Sequence, residues 1–294
     1  MPPGVIGAPA GTGPYPAVAE VAPQLTTQTV YHPVKLPPRK MPVVLWGEGG
    51  CRDNGLAYSA FLREIASHGY LVVAVGHARN EEPMRTAPPP TTTPVKPTGT
   101  PGGAGPGPGA DETQSSQLIQ GLNWAIAENS RTASRYYRRI DTSHVAVMGH
   151  SCGGLQAIEV AADPRISTAI IWDSGVYNRG PATGRSGVAV TKEQLRAIHG
   201  PIAYINGGPA DIAYANALDD FERINHIPAF FGWIPVGHGG TFFTAPNGGE
   251  FGQVGVAWLN WQLKGDRKSG AMFAGPNCGL CTNPRWTVRR KKLG

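Results

Sequence analysis

A serine hydroxyl is a weak nucleophile unless a histidine takes its proton and an acid orients that histidine. One serine in this chain sits where such activation has a purpose: Gly149-His150-Ser151-Cys152-Gly153, which fits the pattern G-x-S-x-G. The apolar run 145–148 leads into it and the helix-like stretch "GGLQAIEVAA" (153–162) leads out, so the pentapeptide marks a strand-to-helix turn. Small residues at 149 and 153 let a strained turn pack against its neighbours and hold Ser151 clear of the backbone. The competing reading is a plain tight turn that happens to contain a serine. A readable strand before it and a readable helix after it favour the nucleophile.

Eight histidines could serve as the base. His150 adjoins Ser151 but is expected to point away from its Oγ, and His32, His68, His77, His144, His199 and His226 lie beside elements where structural or surface roles suffice. His238 differs: in "PVGHGGTFF" it follows the last apolar strand, among glycines that let a loop fold back over the serine. Asp211, in "GGPADIAY" after the strand "PIAYING", is the expected acid. Asp173, in "IIWDSG", also ends a strand and is its rival. Acyl transfer further needs backbone donors aimed at the developing oxyanion. The N–H of Cys152 is one expected donor. The other should come from the turn "WGEGGC" (46–51), with the N–H of Glu48 first and that of Gly49 second; a turn without catalytic use is the alternative.

The elements that must position these residues alternate along the chain. "PVVLW" (42–46), "YLVVAVG" (70–76), "HVAVMG" (144–149), "STAIIW" (167–172), "PIAYING" (201–207) and "AFFGWIPVG" (229–237) are short apolar strands. Helical patterns fall at 56–69, 115–130, 153–162, 218–224 and 251–263. Strands apolar throughout, interleaved with helices, predict an α/β fold: a mostly parallel central sheet covered on both faces. In such a sheet chemistry gathers beyond the carboxyl ends of the strands, where Ser151, Asp211 and His238 all fall. We expect one domain over 1–294, with a Pro/Gly-rich flexible loop at about 83–110 and a Cys-containing tail at about 266–294. The stretch 176–200 is too short and too broken for a helical lid.

The chain has 294 residues, and its 40 glycines and 28 prolines call for many loops. No apolar run is long enough to span a membrane. The net charge of +6 sits partly in "RRKK" (289–292), read as a solvated tail. Without a basic stripe interleaved with aromatics, a nucleic-acid partner is not expected. Cys278 and Cys281 form C-x-x-C, which by itself fits a disulfide, a redox pair or half a metal site; with no second such pair and no nearby histidine pair, no metal is expected. Cys51 and Cys152 both follow strand ends, one in the oxyanion turn and one after Ser151, so a disulfide between them is expected, and a second one between Cys278 and Cys281. Buried free thiols are the alternative.

"IASHGYLVVAVG", "LNWAIAEN", "RIDTSHVAVMGHSCGG" and "AIIWDS", with "GTGPYPA" and "TVYHP" earlier, resemble the α/β-hydrolases of the cutinase and polyester-hydrolase type, relatives of dienelactone hydrolase and chlorophyllase-like enzymes. The order Ser151, Asp211, His238 is also theirs. The resemblance, covering roughly 11–265, implies a secreted carboxylesterase without a cofactor, working as a monomer on an ester or polyester. A serine peptidase or amidase, and an inactive binding protein on the same fold, are the alternative functions. Three departures stand out. Glu48 replaces an aromatic residue of the bacterial cutinases in the oxyanion turn, Trp172 falls inside the sheet where the cleft tryptophan would be nearer Gly175, and the Pro/Gly loop and the ending "NCGLCTNPRW" are additions.

Overall fold

The computed structural model describes residues 4–79, 112–179 and 188–293. The Pro/Gly-rich stretch at about 83–110 lies outside the described residues. In chain order the elements are β1 (Val5–Ala10), β2 (Ala17–Ala22), β3 (Leu25–Pro33), β4 (Met41–Gly47), α1 (Ser59–Ser67), β5 (Leu71–Val75), α2 (Ser116–Ser130), β6 (Ile140–His150) and α3 (Cys152–Val160). They continue with β7 (Thr168–Trp172), β8 (Ile202–Asn206), α4 (Tyr214–Arg223), β9 (Ala229–Trp233), α5 (Gly249–Lys264), α6 (Arg267–Gly270), α7 (Gly279–Thr282) and β10 (Thr287–Lys291).

The strands form one sheet in the order β1-β2-β3-β5-β4-β6-β7-β8-β9-β10. The six from β5 to β9 run parallel, and antiparallel strands extend both edges. Every residue of β4, β5, β7 and β8 is buried, as parallel strands covered on two faces require. Alternation along each strand splits the core in two. Val43, Leu45, Val145 and Val147 join Leu118, Leu122, Leu155 and Phe221 from α2, α3 and α4. Val44, Trp46, Ala146 and Met148 face Phe61, Leu62, Val254 and Trp258 from α1 and α5. Burying one such aliphatic side chain contributes on the order of 2 kcal/mol, so the sheet is a stiff platform for the turns at its carboxyl end. The fold is that of an α/β-hydrolase.

The basic run 289–292 is not a solvated tail. Thr287–Lys291 is edge strand β10, paired antiparallel with β9. Lys291 Nζ donates to the carbonyls of Phe221 at 2.6 Å and Glu222 at 3.0 Å, and Arg290 donates to the Gly275 carbonyl at 2.7 Å. These basic side chains direct their charge to carbonyls at the end of α4 and at Gly275, while blunting a sheet edge.

Candidate active site

Ser151 stands between β6 and α3 with φ of +53° and ψ of −120°, a conformation that side-chain-bearing residues seldom adopt. Three glycines make the turn possible. A Cβ on Gly149 would lie 2.1 Å from the Gly153 carbonyl oxygen, and one on Gly153 would lie 2.1 Å from the Gly47 carbonyl. The first turn of α3 therefore rests directly on the end of β4. The Ser151 N–H donates to the Trp172 carbonyl at 3.0 Å, and Ser174 Oγ donates to the Ser151 carbonyl at 2.6 Å, tying the strained residue to the end of β7.

The loops after β8 and β9 bring Asp211 and His238 to this serine. They are bound to each other: the N–H groups of Val236 and Gly237 donate to the Gly207 carbonyl at 3.1 and 2.8 Å. Phe242, four residues past His238, is buried edge-on against Phe61 and Phe251, with ring centroids 4.8 and 5.3 Å apart, and anchors the far end of the loop. His238 Nε2 is 2.9 Å from Ser151 Oγ, and His238 Nδ1 is 2.6 Å from Asp211 Oδ1. A carboxylate can only accept, so Nδ1 carries the proton and Nε2 is left to accept from the serine hydroxyl. Asp211 Oδ1 also accepts from the Ala213 N–H at 2.9 Å. Burial alone would push the Asp211 carboxyl up, but these hydrogen bonds, a contact from Asp173 and the His238 charge outweigh it and hold the group below its ordinary range.

Asp173, the rival acid, lies near this pair, but the carboxylate hydrogen-bonded to His238 Nδ1 is that of Asp211. Asp173 is fully buried at the end of β7, with φ of +43°. Neither of its carboxyl oxygens makes a short hydrogen bond: His150 Nε2 stands 3.5 Å from Oδ2, and the Gly207 N–H lowers the group only weakly. Burial first, then the charge of Asp211 and its contact with that carboxyl, raise Asp173 well above the ordinary range. Two carboxyl groups this close in a dry site share one proton. The shifts run in opposite directions, Asp173 raised and Asp211 lowered.

The turn after β4 is stitched to the nucleophile turn by the Cys51–Cys152 disulfide, across a sequence separation of 101. A second disulfide joins Cys278 and Cys281. Cys152 opens α3, and the Glu48 amide nitrogen is packed against Gly153, 2.6 Å from where a Cβ would sit. The Glu48 side chain turns inward. It is fully buried, and burial raises its carboxyl well above the ordinary range, against weaker lowering by the Trp46 indole and Arg52.

A shallow cleft of about 100 Å³ opens at Ser151 and His238, between Leu155, Ser174, Tyr177 and Ile212. Tyr177 and Ile212 are 48 % and 80 % exposed, two of the most exposed large apolar side chains among the described residues. A larger hollow of about 400 Å³ lies around Arg39, Pro42, Asp141 and Lys264, at the opposite end of the strands. The smaller cleft, at the carboxyl ends of the strands, is the one that Ser151 and His238 line. Tyr177, Ile212 and Ser174 were not singled out from sequence, because nothing in their spacing distinguishes them. Trp172 is buried within β7, as its position in "AIIW" implies. Among the described residues no group of three or more His, Cys, Asp or Glu side chains is arranged to hold a metal, and no helix is long and apolar enough to cross a membrane.

A comparison with protein families finds a match to the family described as PETase: PET hydrolase-like, over residues 109–176. The matched stretch carries α2, β6, Ser151, α3, β7 and Asp173, and ends before Asp211 and His238, whose placement rests on the geometry above. No curated protein matches the chain. The chain thus resembles the α/β-hydrolases of the polyester-hydrolase type, in the fold of its described residues and, over 109–176, by family match.

Proposed function

We propose that this chain is a serine carboxylic-ester hydrolase that works through an acyl-enzyme on Ser151, without a cofactor. The observation that carries the reading is the continuous line from Ser151 Oγ to His238 to Asp211, at 2.9 and 2.6 Å. His238 Nε2 takes the serine proton as Oγ attacks the ester carbonyl. The resulting oxyanion is held by the N–H groups of Cys152 and Glu48, with Gly49 as the alternative second donor. His238 then returns the proton to the leaving alkoxide, and the acyl group stays on Ser151. Water, deprotonated by the same nitrogen, attacks the acyl carbonyl; its proton goes back to Ser151 Oγ as the acid leaves. Asp211 keeps the imidazole in the Nδ1–H tautomer and stabilises the imidazolium.

The cleft supports a polyester as the substrate class. It is shallow and flanked by exposed Tyr177 and Ile212, an arrangement suited to lying against an extended apolar chain, and the family match points the same way. Two disulfides fit an oxidising, extracellular setting. The test is a fluorophosphonate probe followed by 4-nitrophenyl esters, soluble amides and polyester films on one preparation. Labelling at Ser151 with turnover of esters and films is the expected result. Labelling with preferential cleavage of amides would make it an amidase. No labelling and no turnover would leave a binding protein on a hydrolase fold.

A further inference from the structure

His150 precedes Ser151, and its almost fully buried ring packs among Tyr58, Phe242 and His238, with centroids 5.5, 5.5 and 5.1 Å away. Its two nitrogens are both occupied. Nε2 lies 2.7 Å from the main-chain carbonyl oxygen of His238, and Nδ1 lies 2.7 Å from the Tyr58 hydroxyl. A carbonyl can only accept, so Nε2 carries the proton, and Nδ1 must accept from the Tyr58 O–H. One tautomer satisfies both contacts. The surroundings keep it there: burial, then the neighbouring His238, lower the His150 ring to about 3, so it stays neutral across the working range. Burial likewise raises the Tyr58 phenol well above its ordinary value, and it remains a donor.

The same pair reaches the oxyanion turn. A Cβ on Gly49 would lie 2.4 Å from the Tyr58 hydroxyl and 2.6 Å from His150 Nδ1. Tyr58 itself is wedged between Trp46 and Phe242, with ring centroids 5.0 and 5.2 Å away. His238, by contrast, sits in a run of glycines: added Cβ atoms at Gly237 and Gly239 would meet nothing within 4 Å. The loop is packed instead through its main chain: a Cβ on Gly207 would lie 1.9 Å from the Gly237 carbonyl, and one on Gly240 2.3 Å from the Phe251 ring.

We infer that Tyr58 and His150 form a buried strut that positions the reaction centre, holding the main chain of His238 from beneath while bracing the Gly49 turn. They are positioning residues, since neither touches the reacting atoms. The inference rests on the serine-hydrolase reading above. The strut sets how much of the time His238 faces Ser151 productively, so its loss should appear in kcat and leave KM nearly unchanged.

The test uses Tyr58→Phe, His150→Phe and His150→Gln in the full chain, read by kcat and KM on a 4-nitrophenyl ester, by thermal melting and by fluorophosphonate labelling. Losing one neutral hydrogen bond corresponds to roughly 5–10-fold, which is the expected drop in kcat for Tyr58→Phe. His150→Phe removes both contacts and should fall about 30–100-fold, with KM within about twofold. His150→Gln keeps an N–H for the His238 carbonyl and should recover at least about fivefold over His150→Phe. Tyr58→Phe should add nothing in the His150→Phe background. The strut is overturned if both Phe variants keep kcat within about twofold of the parent, or if His150→Gln is no better than His150→Phe. Should His150→Phe lose its cooperative melt, Tyr58→Phe decides, because it deletes a single oxygen. A parent protein that the fluorophosphonate leaves unlabelled refutes the hydrolase reading, whereas normal labelling with insensitivity to these substitutions refutes only the strut.

Discussion

The turns after β7 and β8 end adjacent parallel strands and each buries an aspartate, yet the two carboxyl groups are in opposite states. Asp211 accepts from His238 and from the Ala213 N–H and is held ionised. Asp173 is the more deeply buried, has only the Gly207 N–H and the more distant His150 Nε2 near it, and is raised well above the ordinary range. Burial is common to both, so burial does not decide which acid serves the histidine. Donors do. The turn after β4 repeats the lesson with Glu48, another inward carboxyl, where the Trp46 indole is too weak a donor to offset burial and the group is raised.

The sharpest way to break this comparison is to exchange each carboxyl for its amide. Asparagine cannot carry the negative charge that fixes the His238 tautomer, so Asp211→Asn should lower kcat on the order of 10³–10⁴-fold. At 173 the amide imitates the state already present: a neutral group with hydrogens to offer Asp211 Oδ2. Asp173→Asn should therefore keep kcat within about fivefold, and Asp173→Ala, which offers nothing, should lose more, roughly tenfold. Steady-state kinetics on a soluble ester at one pH reads all three. If Asp173→Asn abolished turnover while Asp211→Asn spared it, the assignment of the acid would be reversed.

The turns also differ in how they are fastened. The Asp211 and His238 loops are held by hydrogen bonds to Gly207, while the Glu48 turn is held to α3 by Cys51–Cys152. That bridge closes a loop of about 100 residues and should stabilise by about 4–5 kcal/mol in the chain-entropy view, against about 2 kcal/mol for the short Cys278–Cys281 loop. Replacing Cys51 and Cys152 together with serine should lower Tm on the order of 10 °C and reduce kcat as well, because the oxyanion turn loses its tie to the nucleophile helix. The Cys278/Cys281 double serine variant should lower Tm less and leave kcat unchanged. Equal effects on kcat would detach the first bridge from the chemistry.

What the sequence displayed of this arrangement follows from what a one-dimensional pattern can carry. Apolar runs and helical spacing gave away the parallel strands, and strand polarity then placed Ser151, Asp211 and His238 on one rim, where they now lie within hydrogen-bonding reach. The two carboxyl states could not be read that way. "IIWDSG" and "GGPADIAY" look alike as strand-end aspartates, and the difference lies in which N–H groups the folded loops deliver. Tyr58 was hidden for a similar reason, since its hydroxyl meets His150 across 92 positions of sequence. Strand β10 escaped because "TVRRK" carries the charge pattern of a tail, and its basic groups find main-chain carbonyls only after α4 and β9 are in place.

The smallest expected effect concerns Glu48 and reads the comparison through stability. A carboxyl whose folded value is raised lets the unfolded chain ionise first. Its favourable contribution is complete below the ordinary value of 4.5 and is lost as pH rises from there toward the folded value. Glutamine does not titrate, so Glu48→Gln removes that dependence while keeping the shape of the side chain. The Tm of Glu48→Gln minus that of the parent should therefore increase steadily from about pH 4.5 upward. Applied to Asp211 the sign is opposite: its lowered carboxyl contributes fully above its unfolded value of 3.8 and loses that contribution as pH falls through the folded one, so the Tm difference for Asp211→Asn should become more negative as pH rises toward 3.8 and stay level above about pH 5. Melting curves between pH 2 and pH 8 for the two amide variants separate these dependences, the Asp211 one below about pH 4 and the Glu48 one above it. Parallel slopes would mean that Glu48 is ionised in the fold, and that the turn after β4 is governed by a donor other than those identified.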